Sequence, residues 1–276
     1  MQTIIILLVS VVAGAVGAMT GQGGGLLLVP FLTLCMRINV KIAIAASIVS
    51  VIATSSGSAS AYVRDRISNI KIGMFLEMFT ILGALVGAGI TLKTDGRLIY
   101  LVFGLVLLAS FVVLWLQPDL GERMNMKQDK LSAFLKLEGA YYDQAAGMEL
   151  HYKGTRAGLG GVLMFGAGLI AGMLGIGAGS LKVLIHDLVM KLPPKVSTTT
   201  SNFIIGVTAL AGTSAYLAAG LVEPAIAVPV IAGVTVGSRF GTRFLVKLSN
   251  KAVRGFFMAV LSIVGVEMVL RGLGKF

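Results

Sequence analysis

Two glycine-rich stretches hold the residues best placed to do chemistry. Gly21-Gln22-Gly23-Gly24-Gly25 lies near the start, and Gly175, Gly177 and Gly179 lie in the second half; each interrupts an apolar run. A glycine break just ahead of a helix leaves backbone N–H groups without intrahelical acceptors and with no side-chain bulk around them. That setting attracts small anions. In hydrocarbon such N–H groups need partners from protein, water or substrate. The alternative use of these glycines is close helix packing. Two breaks at matching positions favour a site over packing alone.

The flanking residues extend this chemistry. Lys182 lies three residues beyond the second break, where the first break has Leu28. Its charge would strengthen an anion site; pairing with Asp187 or reaching out to the membrane interface are the other options. His186, one turn further on, titrates near neutrality and is a candidate for proton coupling. Arg239 is a candidate for the substrate path, whereas Arg243 reads as an anchor. Thr200, Ser201 and Asn202, with Ser47 as the first-half partner of Ser201, can donate hydrogen bonds to an anion without adding a fixed charge. Back-bonding to the preceding helical turn accounts for many of the other hydroxyls. Glu77 and Glu267 are lone acids in apolar runs, and either could couple protons, but neither has a counterpart in the other half, so they rank below these residues.

Other chemistries lack their residues. There is no Ser-His-Asp arrangement, no metal-ligand spacing and no phosphate-binding GxxxxGK[ST] loop. The expectation is a non-enzyme with neither cofactor nor metal. The single cysteine, Cys35, precludes a disulfide framework. Apolar residues make up 56% of the chain and charged residues only 13%, and mean hydropathy is +0.92. A soluble domain is about a quarter charged. The net charge of +11 does not point to nucleic acid, because the basic residues mostly sit in short connectors between apolar runs.

These residues are positioned by a duplicated frame. Residue i matches residue i+154 without a gap from Ala13–Val112 onto Ala167–Val266, including Gly25/Gly179, Lys41/Lys195, Ser47/Ser201, Thr54/Thr208, Gly83/Gly237 and Lys93/Lys247. Each half has five apolar segments. They cover Thr3–Thr20, Leu26–Met36, Ile42–Val63, Ile72–Leu92 and Leu98–Leu116, then Leu159–Leu174, Leu181–Met190, Val196–Ala219, Ala225–Val246 and Ala252–Leu270. The fold class is therefore an all-α polytopic membrane protein of two homologous repeats, 1–116 and 157–276, with short glycine-broken helices at the core.

The basic residues choose between topologies. If the short second segment of each half crosses, the halves are inverted. Arg64, Arg66, Lys71, Lys191, Lys195, Lys247, Lys251 and the central loop then face the cytoplasm, leaving only Arg37, Lys41, Lys93, Arg97, Arg271 and Lys275 outside. That division satisfies the positive-inside rule better than the parallel alternative. The polar loop 117–156 carries a short amphipathic helix near Leu131–Leu137 and a hairpin around Ala145-Ala146-Gly147. A purely solvated linker is the other reading, and His151 in it reads as a surface residue.

At these residues the chain resembles the TauE/SafE family of sulfite exporters. The likeness rests on Gly21–Gly25 with Val29-Pro30, on Gly175-Ile176-Gly177-Ala178-Gly179, on the Ser/Thr-Asn run before Phe203, and on the paired Gly83/Gly87 and Gly237/Gly241. It implies a secondary transporter, chiefly an exporter, of a small sulfur-containing anion such as sulfite, thiosulfate, sulfoacetate or another organosulfonate. The expected partners are that anion, the lipid bilayer of a bacterial-type inner membrane and protons as coupling ion, in a monomer or homodimer. The alternatives are a transporter of a non-sulfur anion and an anion channel.

Overall fold

The computed structural model describes residues 2–20, 23–64, 67–116, 128–143, 147–245 and 250–274. It is mostly helical. The first half contains α1 (Gln2–Thr20), α2 (Gly25–Pro30), α3 (Val40–Arg64), α4 (Ile70–Lys93) and α5 (Gly96–Leu116). A short helix α6 (Lys130–Phe134) and a hairpin of β1 (Glu138–Asp143) and β2 (Met148–Lys153) follow. The second half contains α7 (Ala157–Leu174), α8 (Gly179–Leu184), α9 (Pro194–Ala218), α10 (Pro224–Leu245) and α11 (Asn250–Gly272). The segments read from hydropathy coincide with these helices to within about two residues at most ends, the usual uncertainty of a helix boundary.

The match between halves extends to local backbone geometry. Helices α2 and α8 each run into one wide π-helical turn, Phe31–Cys35 and Ile185–Val189. Both turns end on a left-handed basic residue, Arg37 at φ 53 and Lys191 at φ 58. Each is closed by equivalent hydrogen bonds, Ile38 N to Leu32 O and Leu192 N to His186 O, both 3.0 Å. Pro30 ends α2, but α8 has Leu184 there and forms the same turn, so the proline is not its cause.

Glycines set how closely the helices approach. A Cβ built on Gly83 would lie 2.1 Å from Phe165 O, and one on Gly237 1.9 Å from Val11 O. These contacts join α4 to α7 and α1 to α10, the same pairing taken from either half. In both pairs the contacts advance in step along the two chains, so the helices run parallel. Helix α3 meets its counterpart α9 in the opposite sense: Ile48 lies against Gly212, and Ser55 against Gly206. Helix α5 meets α11 likewise, with Leu101 against Gly272 and Leu108 against Gly265. Each of these two counterpart pairs is antiparallel.

Four described helical stretches are long and apolar enough to cross a membrane: Val40–Gly57, Ile70–Lys93, Ala157–Leu174 and Pro194–Ala218. Large apolar side chains such as Leu8, Met78, Leu82, Leu105, Leu210 and Val228 face outward. In water such a surface would aggregate; in lipid it is the expected exterior. The chain is a membrane protein.

Residues 128–156 are more than a tether. Leu137, Tyr141, Leu150 and Tyr152 join Ile72, Leu76, Met190, Leu192 and Val196 in one apolar cluster. Asn69, which caps α4 through Ile72 N at 3.0 Å, also donates from Nδ2 to Tyr152 Oη at 2.9 Å. The hairpin is thereby attached to the start of α4. His151 is exposed. The hairpin's Ala145 and Ala146 lie outside the described residues.

Candidate anion site at the paired helix breaks

The two breaks meet in the middle of the molecule. A Cβ on Gly25 would lie 2.5 Å from both Gly175 O and Ser47 Oγ, and 3.2 Å from Ile176 Cα. Val51 packs on Gly23 and also reaches Gly177, which rests on Ile205, the counterpart of Val51. Both helix starts need backbone of positive φ: Gly23 at 76 and Gly24 at 71, then Gly177 at 66 and Ala178 at 50. Glycine suits three of these four positions; Ala178 holds the same left-handed conformation against its Cβ. In α2 the first helical hydrogen bonds run from Leu27 N (3.1 Å) and Leu28 N (3.3 Å) to Gly24 O. Gly21 and Gln22 lie outside the described residues.

The second break is held by hydroxyl donors from three helices. At the end of α7 the last carbonyls lack intrahelical partners. Tyr216 Oη donates to Gly172 O at 2.8 Å, Thr91 Oγ1 to Met173 O at 3.0 Å and Ser47 Oγ to Gly175 O at 2.7 Å. Ser201 Oγ donates to Gly179 O at 3.3 Å. The counterparts Ser47 and Ser201 thus both serve the second break. Thr200 is occupied differently: its Oγ1 accepts Asn69 N at 3.0 Å, tying α9 to the cap of α4. Asn202 is buried, and its Nδ2 has no hydrogen-bond partner. A buried amide donor is ordinarily paired, so Nδ2 calls for an acceptor such as a water or an anion.

Lys182 is fully buried, and its partner is neither Asp187 nor the interface. Nζ lies 3.7 Å from Glu77 Oε2 and donates to Thr208 Oγ1. Thr208 Oγ1 in turn donates to Glu77 Oε1 at 2.7 Å, and Thr80 Oγ1 donates to Glu77 Oε2 at 2.6 Å. Glu77 is itself buried. The acid that ranked low in the sequence is therefore the counter-ion of the lysine that ranked high.

His186 is buried, with Nδ1 3.2 Å from Ser197 O. A carbonyl only accepts, so Nδ1 is the donor in this contact, and Nε2 is buried without a partner. Arg239 lies on the exposed face of α10, as does its counterpart Leu85 on α4, and neither is brought to the breaks. Among the described residues no cluster of three metal-ligating side chains occurs.

A separate concavity of about 500 Å³ opens beyond the first π-helical turn, lined by Thr33, Arg37, Asn39, Tyr100 and Arg271. Its two guanidinium groups give that mouth a positive character.

A mostly helical membrane protein with two apposed helix breaks and a buried ion pair belongs to the architecture of membrane transporters. The chain belongs to the sulfite exporter TauE/SafE family, whose model matches residues 6–268. Among its relatives, the probable membrane transporter protein YunE of Bacillus subtilis is 25% identical over 280 residues, 99% of each chain. The probable membrane transporter protein YdhB of the same species is 25% identical over 241 residues, 87% of this chain and 89% of its own. A probable membrane transporter protein of Methanocaldococcus jannaschii is 23% identical over 282 residues, 96% of this chain and 95% of its own. No solved structure matches.

Proposed function

We propose that the protein is a secondary transporter that exports a small sulfur-containing anion, such as sulfite, thiosulfate, sulfoacetate or another organosulfonate, by alternating access. It would be a multi-pass protein of a bacterial-type inner membrane, working as a monomer or homodimer without a cofactor. The observation that carries this reading is Lys182, a fully buried ammonium on the short helix that starts at one of two apposed breaks. A charge kept at such a depth is costly and marks an ion pathway by default. The family's description as sulfite exporters supports the substrate class.

Inverted repeats fit the packing. Two copies related by an axis in the membrane plane place counterpart helices antiparallel, the arrangement of α3 with α9 and α5 with α11. Inversion requires the second segment to cross. Gly25–Cys35 covers only about 16 Å at 1.5 Å per residue. That is about half of a ~30 Å hydrocarbon core. The glycine break and the non-helical residues after the π-helical turn would supply the remainder, an arrangement that would set both breaks near mid-depth. The Arg37–Arg271 concavity would concentrate anions at one mouth.

Flux of radiolabelled sulfite in proteoliposomes tests the reading, with thermal stabilisation by the same anion as a binding check. Saturable flux of a sulfur anion is the expected result. Movement of carboxylates or halides alone would shift the substrate class, and channel-like currents would replace alternating access.

A further inference from the structure

The cluster around Lys182 is unequal between the two halves. Lys182 stands where the first half has Leu28, Glu77 where the second has Ile231, and Thr80 where the second has Val234; only Thr208 keeps its type, as Thr54. Leu28 and Val234 are completely buried. The same backbone position is thus packed with hydrocarbon in one half and with an ion pair in the other, so the fold does not require the pair. Buried pairs are often neutral or worse for stability than an apolar filling of similar volume.

The geometry leaves the pair separable. At 3.7 Å the Lys182–Glu77 contact is longer than a direct hydrogen bond, and the Thr208 hydroxyl bridges the two groups. An ammonium has three donors, and the described contacts engage Nζ through Thr208 and the ion pair. The surroundings hold little else that titrates. Helix α7, packed on α4, carries no charged residue. Helix α9 carries Lys195 at its exposed start and Tyr216, whose hydroxyl is on Gly172 O. Beyond Lys182 in the same segment are two more titratable groups, His186, held on Ser197 O, and Asp187, a buried carboxyl with Oδ1 unpartnered.

We propose that Glu77 is the proton carrier of the transport cycle: it neutralises Lys182 in the empty site and takes up one proton when the substrate anion replaces it. This rests on the transport reading above. The balance is one carboxylate, one ammonium, one proton and one anion going to one carboxylic acid and one ammonium–anion pair. Charge entering with the anion is offset by the proton, so a monoanion leaves the site neutral in both states. Loading either partner alone leaves an unpaired charge in a dry interior, which couples the two. Thr80 and Thr208 can donate to the carboxylate, and either can turn to accept from the acid. Anion and proton therefore move together, one to one. Acid outside draws the anion inward, and export runs when the internal anion concentration outweighs the pH gradient.

Methanesulfonate, a simple organosulfonate, is the probe, because it is a monoanion whose own protonation lies far below the working pH. In proteoliposomes an acid-outside gradient is expected to speed methanesulfonate uptake by the wild type several-fold, with proton influx read by a trapped pH dye. Glu77→Gln is expected to lower gradient-driven uptake about tenfold and to raise the ratio of labelled-for-unlabelled exchange to net uptake. The double variant Lys182→Leu with Glu77→Ile writes each half's counterpart residues into the other. It is expected to fold with unchanged or higher thermal stability and to lose methanesulfonate binding. Wild-type methanesulfonate flux indifferent to the gradient would overturn the proposal and leave the transport reading standing. So would a double variant that still moves methanesulfonate, or a wild-type proton response surviving in Glu77→Gln. Absence of flux for every sulfur anion tried would remove both.

Discussion

Replacing Lys182 alone with leucine leaves the Glu77 carboxylate buried without its cation. Breaking a buried pair from one side costs about 3–5 kcal/mol, so Lys182→Leu is expected to lower the unfolding temperature of the purified protein sharply. Adding Glu77→Ile is expected to restore it to the wild-type value or above, as thermal unfolding in detergent would show. A smaller loss, about 1–3 kcal/mol, is expected for Thr208→Val, which removes the hydroxyl between the two charges. Lys182 was legible in the sequence as a charge in an apolar run. Its partner was not, because Glu77 lies on another helix of the other half and shares no helical spacing with it. Lys182, Glu77 and Thr80 are all polar where their counterparts are apolar, but Thr200 opposite Ala46 and Asn202 opposite Ile48 share that property, so it did not single out the cluster. Thr200 shows the opposite case. It looked like an anion donor, but its hydroxyl receives the backbone N–H of Asn69.

The helix breaks carry their own prediction. A methyl group on Gly25 would meet the backbone of the other break at 2.5 Å, and backbone cannot yield as a flexible side chain can. Gly25→Ala is expected to reduce anion flux to below about a tenth, with an overpacking cost of about 1–3 kcal/mol. Gly89→Ala, whose added methyl meets nothing within 4 Å, serves as the matched control and is expected to leave flux intact. Helix limits were readable because hydropathy and the repeat mark them independently. The π-helical turns were not, since the two copies reach the same geometry with different residues. The docking of the hairpin was also hidden: alternation in Met148–Lys153 shows that one face is buried, not what buries it. At its base, Asp129 is subject to burial that would raise its carboxyl. Hydrogen bonds from the Ser132 hydroxyl and from the Arg156 and Ser132 backbone outweigh that and hold it below the usual carboxylate range. A lowered carboxyl stabilises fully above its unfolded value and loses that contribution as pH falls through the folded one. Protease accessibility of residues 128–156 is therefore expected to rise only in acid, and to rise at neutral pH in Asp129→Ala. Burial holds the Tyr152 phenol above its usual value, so its contact with Asn69 persists through this range.

For the molecule as a whole, inversion makes a directional prediction. In a Cys35→Ser background, Arg37→Cys and Lys191→Cys occupy equivalent positions after the two π-helical turns. Inverted repeats put them on opposite faces of the membrane, so a membrane-impermeant thiol reagent applied to sealed vesicles of one orientation is expected to label one and spare the other. Labelling of both from the same side would make the halves parallel and the second segments re-entrant. The duplication was open to the sequence at the level of single residues. The sense of the helix contacts was not, because it depends on which glycine meets which backbone across the halves.

On the proposed reading, this chain moves a small sulfur anion through a site built at the two breaks and Lys182. The most direct measurement is radiolabelled sulfite flux into proteoliposomes. It would compare wild type with the Lys182→Leu and Glu77→Ile double variant, both shown to be folded by thermal unfolding. The expected result is saturable flux for the wild type and none above empty liposomes for the double variant. Equal flux from the two would show that the buried pair is dispensable and the site lies elsewhere, and absence of flux from a folded wild type would contradict sulfite as the cargo.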